Sequence, residues 1–188
     1  MNQRKSSRLK GYDYSDNGAY FITICTREKN PLFASHPELK IIVSEEWDLL
    51  SRRFPTVTTD AFVIMPNHVH GILFLMKEHE NVGATLEVAR RAGSSPAPTI
   101  GRIIGVFKSV RVRKWAIHLA LNGRNLKNSF WQRNYYDHII RDEQELNTIR
   151  EYVIFNPTRW SFDNNNPDAK VDLDYLKKWE WLEGKKNG

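Results

Sequence analysis

Two β-prone runs meet at the dipeptide Pro66-Asn67, and that junction constrains this chain more than any other stretch. Val57 to Met65 and His68 to Met76 are apolar and rich in branched and aromatic side chains, as strands are. Pro-Asn between them is turn chemistry, so the pair predicts a hairpin. Side chains alternate faces along a strand. His68 and His70 therefore leave one face together, with Ile72 and Phe74 continuing it. Imidazole is the commonest metal ligand in proteins, and two of them fixed on a sheet make half of a metal site. The plain alternative is two ordinary histidines at a strand start.

The remaining periodicities place that hairpin in a fold. Gly18 to Thr26 reads as a first strand. From about Glu38 to Arg53, Leu39, Ile42, Val43, Trp47 and Leu50 recur at helical spacing, and Phe54-Pro55 ends the helix. Ile100, Ile103, Ile104, Phe107, Val110, Trp115 and Leu119 mark a long amphipathic helix that Asn122-Gly123 closes. Phe130 to Arg141 reads as a fourth strand. A last helix runs from about Glu143 to Asn156, with Asp142 as N-cap, Glu145 completing a capping box and Pro157 as its stop. The order predicts an α+β fold, a ferredoxin-like split βαβ antiparallel sheet. Two helices would cover one face, leaving the other for a ligand and the last helix. One domain over residues 1–160 is expected, with a basic arm at 1–10 and a flexible loop at 77–98. Residues 161–188 are expected to be an appendage without chemistry of its own.

Charge narrows the function classes. Of the net +6, the positive part is gathered into two stretches. Residues 1–10 hold Arg4, Lys5, Arg8 and Lys10 and no acid; residues 102–141 hold nine basic residues against Asp137. Clustering of this kind is the footprint of a polyanion partner. Lys108, Arg111, Arg113, Lys114 and Arg133 are candidates for phosphate contacts, and Trp131 and Tyr136 for base stacking. No apolar run is long enough for a membrane span. The basic N-terminus does not read as a secretory signal. The lone Cys25 excludes an intrachain disulfide. A cytoplasmic location fits all three.

A two-histidine site needs further ligands. Tyr152 and Asn156 stand four apart on the last helix, and so share a face. An amide oxygen suits magnesium or manganese, and a phenol can act as a nucleophile once activated. Taken singly, Tyr152 also reads as a core aromatic beside Ile149 and Val153, and Asn156 as a helix-terminal residue.

Together these segments resemble a known family. His68-Val69-His70, with Tyr152 and Asn156 ahead of Pro157, resembles the HUH single-tyrosine transposases. Within the insertion-sequence-200-like family the likeness is to the REP-associated tyrosine transposases. It extends through Met65-Pro66-Asn67, Phe107-Lys108-Ser109, Phe130-Trp131-Gln132-Arg133, Tyr136-Asp137-His138 and Glu151-Tyr152, across roughly residues 11–160. The resemblance implies a central histidine strand crossed by the tyrosine helix. It implies His68, His70 and Asn156 as ligands of Mg2+ or Mn2+, and Tyr152 as nucleophile. The activity implied is single-strand DNA cleavage and rejoining through a covalent 5′-phosphotyrosine. The partner would be single-stranded or hairpin DNA, such as repeated extragenic palindromes. Some relatives exchange the tyrosine helix in dimers, so monomer and homodimer both stay open.

Three competing classes share parts of this pattern. A non-catalytic nucleic-acid-binding module of RNA-recognition-like fold needs paired aromatics on its central strands, where His68 and His70 stand instead. A metal-dependent hydrolase would use water and no tyrosine. Replication or relaxation initiators tend to carry extra domains, for which 188 residues leave little room.

Overall fold

The structure, a computed structural model, describes residues 17–76, 98–123 and 129–183. The expected arm at 1–10, and all but the last residue of the expected loop at 77–98, lie outside these.

Strands β1 (Gly18–Cys25), β2 (Val57–Ile64), β3 (His68–Leu75) and β4 (Tyr136–Ile140) form one sheet in the order β2-β3-β1-β4. Every neighbouring pair is antiparallel. The fold is thus α+β with β1 and β3 central, the ferredoxin-like layout that the element order implies. Between β1 and β2 lie α1 (Leu32–Ser35), α2 (Pro37–Asp48) and α3 (Leu50–Arg53); α4 (Ile100–Leu121) precedes β4. After β4 come α5 (Glu143–Phe155), a 3-10 helix (Asn156–Phe162) and α6 (Leu173–Glu183). Among the described residues no helix is long and apolar enough to cross a membrane.

Strand alternation divides the interior in two. On one face Tyr20, Ile22 and Ile24 of β1 and Val69, Leu73 and Leu75 of β3 pack against α2 and α4 through Val43, Trp47, Ile103 and Phe107. On the other, Phe21 of β1 and Ile72 of β3 meet Ile149, Tyr152 and Val153 of α5 and Trp179 of α6. Helix α5 is also tied to the sheet edge. A register shift between Thr59 and Phe62 bulges β2, and there Asp60 accepts a hydrogen bond from Arg150 Nε at 2.8 Å.

Three elements differ from the sequence reading. The helix expected over 38–53 is broken at Leu49 into α2 and α3. The strand expected from Phe130 begins only at Tyr136, because Lys108 Nζ donates to the carbonyls of Gln132, Arg133 and Asn134. Those acceptors are turned to a side chain instead of a strand, and Trp131 makes an isolated bridge to Thr26. Helix α6 was not anticipated: Tyr175, Trp179 and Leu182 form its buried stripe. The cap of α5 is as expected, with Asp142 Oδ1 accepting from Glu145 N at 2.8 Å.

Gly71 is where the helical layer approaches the sheet. A Cβ at that position would lie 2.3 Å from Trp47 Cζ2, while Trp47 stacks on Phe62 with ring centroids 4.5 Å apart. Gly71→Ala is expected to lower stability by about 1–3 kcal/mol through overpacking. In a Trp47→Phe background that loss should shrink, a coupling that urea denaturation of the double-mutant cycle reads directly.

Candidate active site

Register sets the site. Thr23 of β1 lies opposite His70 of β3, and Cys25 opposite His68. Directly paired residues share a face, so Thr23 Oγ1 reaches His70 Nδ1 at 2.9 Å. Asn67, at the hairpin turn, reaches His68 Nδ1 through Oδ1 at 2.7 Å. Asn67 is itself held by its Nδ2, which donates to the carbonyls of Lys29 and Asn165 at 3.0 and 2.7 Å. With Nδ1 of each ring occupied, the two Nε2 atoms face one another at 2.8 Å.

Helix α5 brings Tyr152 to this pair. Its hydroxyl lies 3.4 Å from His70 Nε2, and its ring contacts Phe21 edge-on and Trp179 of α6. Asn156 follows one turn later at the start of the 3-10 helix. It is buried, and neither Oδ1 nor Nδ2 has a hydrogen-bond partner among the described residues. Buried amides without partners are uncommon in folded proteins. Asp163 closes the arrangement: it is fully buried, with Oδ2 3.5 Å from His68 Nε2. The metal-ligating atoms of His68, His70 and Asp163 all lie within 4.8 Å of one another. Two imidazoles and a carboxylate form a donor set that fits a divalent cation.

Asp163 was missed in the sequence reading. It lies in the stretch taken for an appendage, and a single Asp before Asn164-Asn165-Asn166 carries no spacing signal. Only the path of the 3-10 helix returns it to the histidines. Trp160, 6.0 Å from His68 between ring centroids, and Trp179 belong to the same returning segment.

A cavity of about 240 Å³ opens beside the pair, lined by Thr23, His70, Gln132, Asn134, Tyr136 and Asn165 among others. Tyr136 thus stands next to the site. Arg113 and Arg133 are exposed. Lys108 is half-buried with its ammonium on three loop carbonyls, and burial lowers its pKa. Lys114 is partly exposed, 3.3 Å from Glu46. Two expected DNA contacts need correction. Arg111 is fully buried, paired with Glu46 and the Ile42 carbonyl, because it sits on the face of α4 that meets α2. Trp131 is buried against Phe33 and Phe107 and has no face to offer a base. Arg4, Lys5, Arg8 and Lys10 lie outside the described residues.

Burial governs the charge of the pair. It lowers His70 to about 3 and takes His68 well below its ordinary value, with the neighbouring charges of His70 and Lys29 adding to the effect. Between those values and about 6.5 the folded chain binds fewer protons than the unfolded one. Stability is therefore complete above about pH 6.5 and falls as the pH drops below it. Urea melts of chelator-treated protein should lose up to about 1.4 kcal/mol per pH unit for each imidazole in that window. The slope should flatten in His70→Gln.

No protein-family model matches the chain. Over 177 residues it is 38% identical to an uncharacterised Haemophilus influenzae protein, covering 87% of this chain and 93% of that protein. A second Haemophilus influenzae protein, provisionally named a REP-associated tyrosine transposase, is 20% identical over 176 residues, 89% of this chain and 90% of that one. Among solved structures, a REP-associated tyrosine transposase bound to a REP hairpin aligns with 85% of this chain and 74% of its own, at 19% identity and a TM-score of 0.48. A provisionally named transposase from Deinococcus radiodurans aligns with 80% and 96%, at 16% and 0.39. The chain thus matches the uncharacterised Haemophilus influenzae protein from end to end, and it is distantly similar over most of its length to a protein provisionally named a REP-associated tyrosine transposase.

Proposed function

We propose that the chain cleaves and rejoins single-stranded DNA, with Tyr152 as the attacking group. The observation that carries this reading is the 3.4 Å approach of the Tyr152 hydroxyl to His70 Nε2. It joins two stretches more than eighty residues apart in sequence. A core tyrosine could satisfy its hydroxyl on any nearby acceptor, whereas this one meets the paired imidazoles, and a hydrolase using water would need no tyrosine.

In the proposed reaction the Tyr152 oxygen attacks the scissile phosphorus. A bond forms between that oxygen and the 5′-side phosphate, the bond to the 3′-oxygen breaks, and the proton given up by the phenol is balanced by the one that the departing 3′-oxygen takes up. The 3′-hydroxyl of another strand then attacks the phosphotyrosine and releases the phenol, so bond number is conserved and no external energy is needed. His68, His70 and Asn156 are the residues that would hold a divalent cation, Mg2+ or Mn2+. When bound, such an ion would polarise the phosphate and offset its developing charge. Phe21, stacked on His70 with centroids 5.2 Å apart, and Trp179 exclude water and fix the phenol, and positioning of this kind supplies much of the rate in phosphoryl transfer.

The single strand enters, on this reading, through the cavity beside His70, with Tyr136 available for stacking at its wall. Arg113 and Arg133 supply exposed positive charge for the phosphates of single-stranded or hairpin DNA. The family resemblance and the clustered charge support DNA over an RNA-recognition role, and the buried histidines stand where that role needs aromatics.

Tyr152→Phe should abolish the covalent protein–DNA species on a denaturing gel and leave DNA affinity within about twofold. An adduct persisting in that variant would identify a different nucleophile. Arg111 and Arg133 should separate cleanly. Arg133→Ala is expected to weaken DNA binding with an unchanged melting midpoint. Arg111→Ala should lower stability by about 1–3 kcal/mol, because it leaves the buried Glu46 carboxylate with only the part-exposed Arg53 and Lys114. Paired fluorescence-anisotropy and urea titrations check both.

A further inference from the structure

Seven residues after Asn156 the chain comes back to the imidazoles. Asp163 Oδ1 accepts the backbone N–H of Asn165 at 2.6 Å, which fixes the carboxylate. Its other oxygen, Oδ2, faces His68 Nε2. The same short turn reaches the far side of that ring, since the Asn165 carbonyl accepts from Asn67 Nδ2. One three-residue segment therefore meets His68 through Asp163 and braces its partner Asn67 through Asn165.

The orientation of His68 gives the carboxylate contact its meaning. Asn67 Nδ2 donates to two carbonyls, so its Oδ1 is the atom that faces His68 Nδ1. An amide oxygen only accepts, which puts the ring proton on Nδ1 and the lone pair on Nε2. That lone pair faces both His70 Nε2, at 2.8 Å, and Asp163 Oδ2, at 3.5 Å. The ligand atoms of His68, His70 and Asp163 lie within 4.8 Å of one another, as the ligands of one shared cation do. Ligand atoms about 2.1 Å from one shared cation stand about 3.0–3.4 Å apart in octahedral or tetrahedral geometry. The His68–His70 separation of 2.8 Å and the His68–Asp163 separation of 3.5 Å bracket that range.

We propose that Asp163 is a direct metal ligand, so that this chain holds its cation with two imidazoles and a carboxylate contributed by the segment after the tyrosine helix. The proposal rests on the metal-assisted reading above and adds to it a ligand outside the resemblance. A carboxylate brings a hard, negatively charged oxygen, and so favours Mn2+ and Mg2+ over softer ions. Asn156, with its amide unpartnered, is left for a further position or for the phosphate.

Mn2+ binding to the chelator-treated full chain, followed by the electron paramagnetic resonance signal of free Mn2+ without DNA, tests this. Asp163→Asn keeps the side chain's size and an oxygen for the Asn165 N–H. It is expected to weaken Mn2+ binding by about tenfold or more, the least that removing a direct ligand should cost when outer-shell changes already cost that much. Without metal, Asp163→Asn should melt at the same temperature as the native chain or higher, because its amide can donate to the His68 lone pair. A carboxylate serving only structure gives the opposite pair of results, a lower metal-free midpoint or failure to fold, with Mn2+ affinity unchanged in whatever folds. His68→Gln separates the two levels of the argument. Lost Mn2+ binding in His68→Gln with intact binding in Asp163→Asn overturns the role of Asp163 alone. Intact binding in His68→Gln overturns the metal-assisted reading itself.

Discussion

Two imidazoles at the centre of a four-stranded sheet have to be satisfied from every side, and much of this molecule is arranged around that demand. A buried polar ring without partners costs several kcal/mol. Thr23 meets His70 from the neighbouring strand, because antiparallel register puts them opposite one another. Asn67 meets His68 from the turn, and is braced by two carbonyls from separate loops. These contacts consume the Nδ1 atoms and direct both Nε2 atoms to one point. The outer partners of a metal-binding histidine fix its tautomer in just this way. Tyr152 and Asp163 reach the same pair from the helix and the turn that follow.

The opposite face of the sheet holds this arrangement still. Gly71 lies between the histidines and Leu73 in sequence but points to the other layer, where the Trp47 indole fills the space a side chain would take. The rigid aromatic stack of Trp47 on Phe62 then backs the strand that carries the imidazoles. The bulge in β2 and the Asp60–Arg150 pair fix the angle at which α5 crosses the sheet. An error of an ångström there would move the Tyr152 hydroxyl away from His70, and displacements of that size matter to reactions that depend on positioning.

Charge is divided between structure and surface in a way that composition does not show. Glu46 is buried and draws Arg111, Arg53 and Lys114 toward it. Lys108 is turned onto loop carbonyls and so shapes the approach to β4. Among the described basic residues over 102–141, Arg111 is interior and Lys108 and Lys114 are engaged within the chain. Arg113 and Arg133 remain open to solvent.

The amino-acid sequence by itself determined the element order, the hairpin at Pro66-Asn67, the shared face of His68 and His70, and the i, i+4 pairing of Tyr152 with Asn156. All of these follow from local periodicity, with period two for strands and 3.6 for helices, and need no knowledge of neighbours. The family likeness was legible for the same reason, since its motifs are short and ordered along the chain. Tertiary structure alone decided which side chains meet. Whether Arg111 faced solvent or Glu46 depended on how α4 docks on α2, and a helical wheel does not carry that information. Trp131 had the composition of a stacking residue, and three carbonyl contacts from Lys108 helped decide that its segment is not a strand. Asp163 was invisible because a lone carboxylate after a helix has no period. Its approach to His68 comes from a 3-10 turn and the packing of α6, both set by long-range burial.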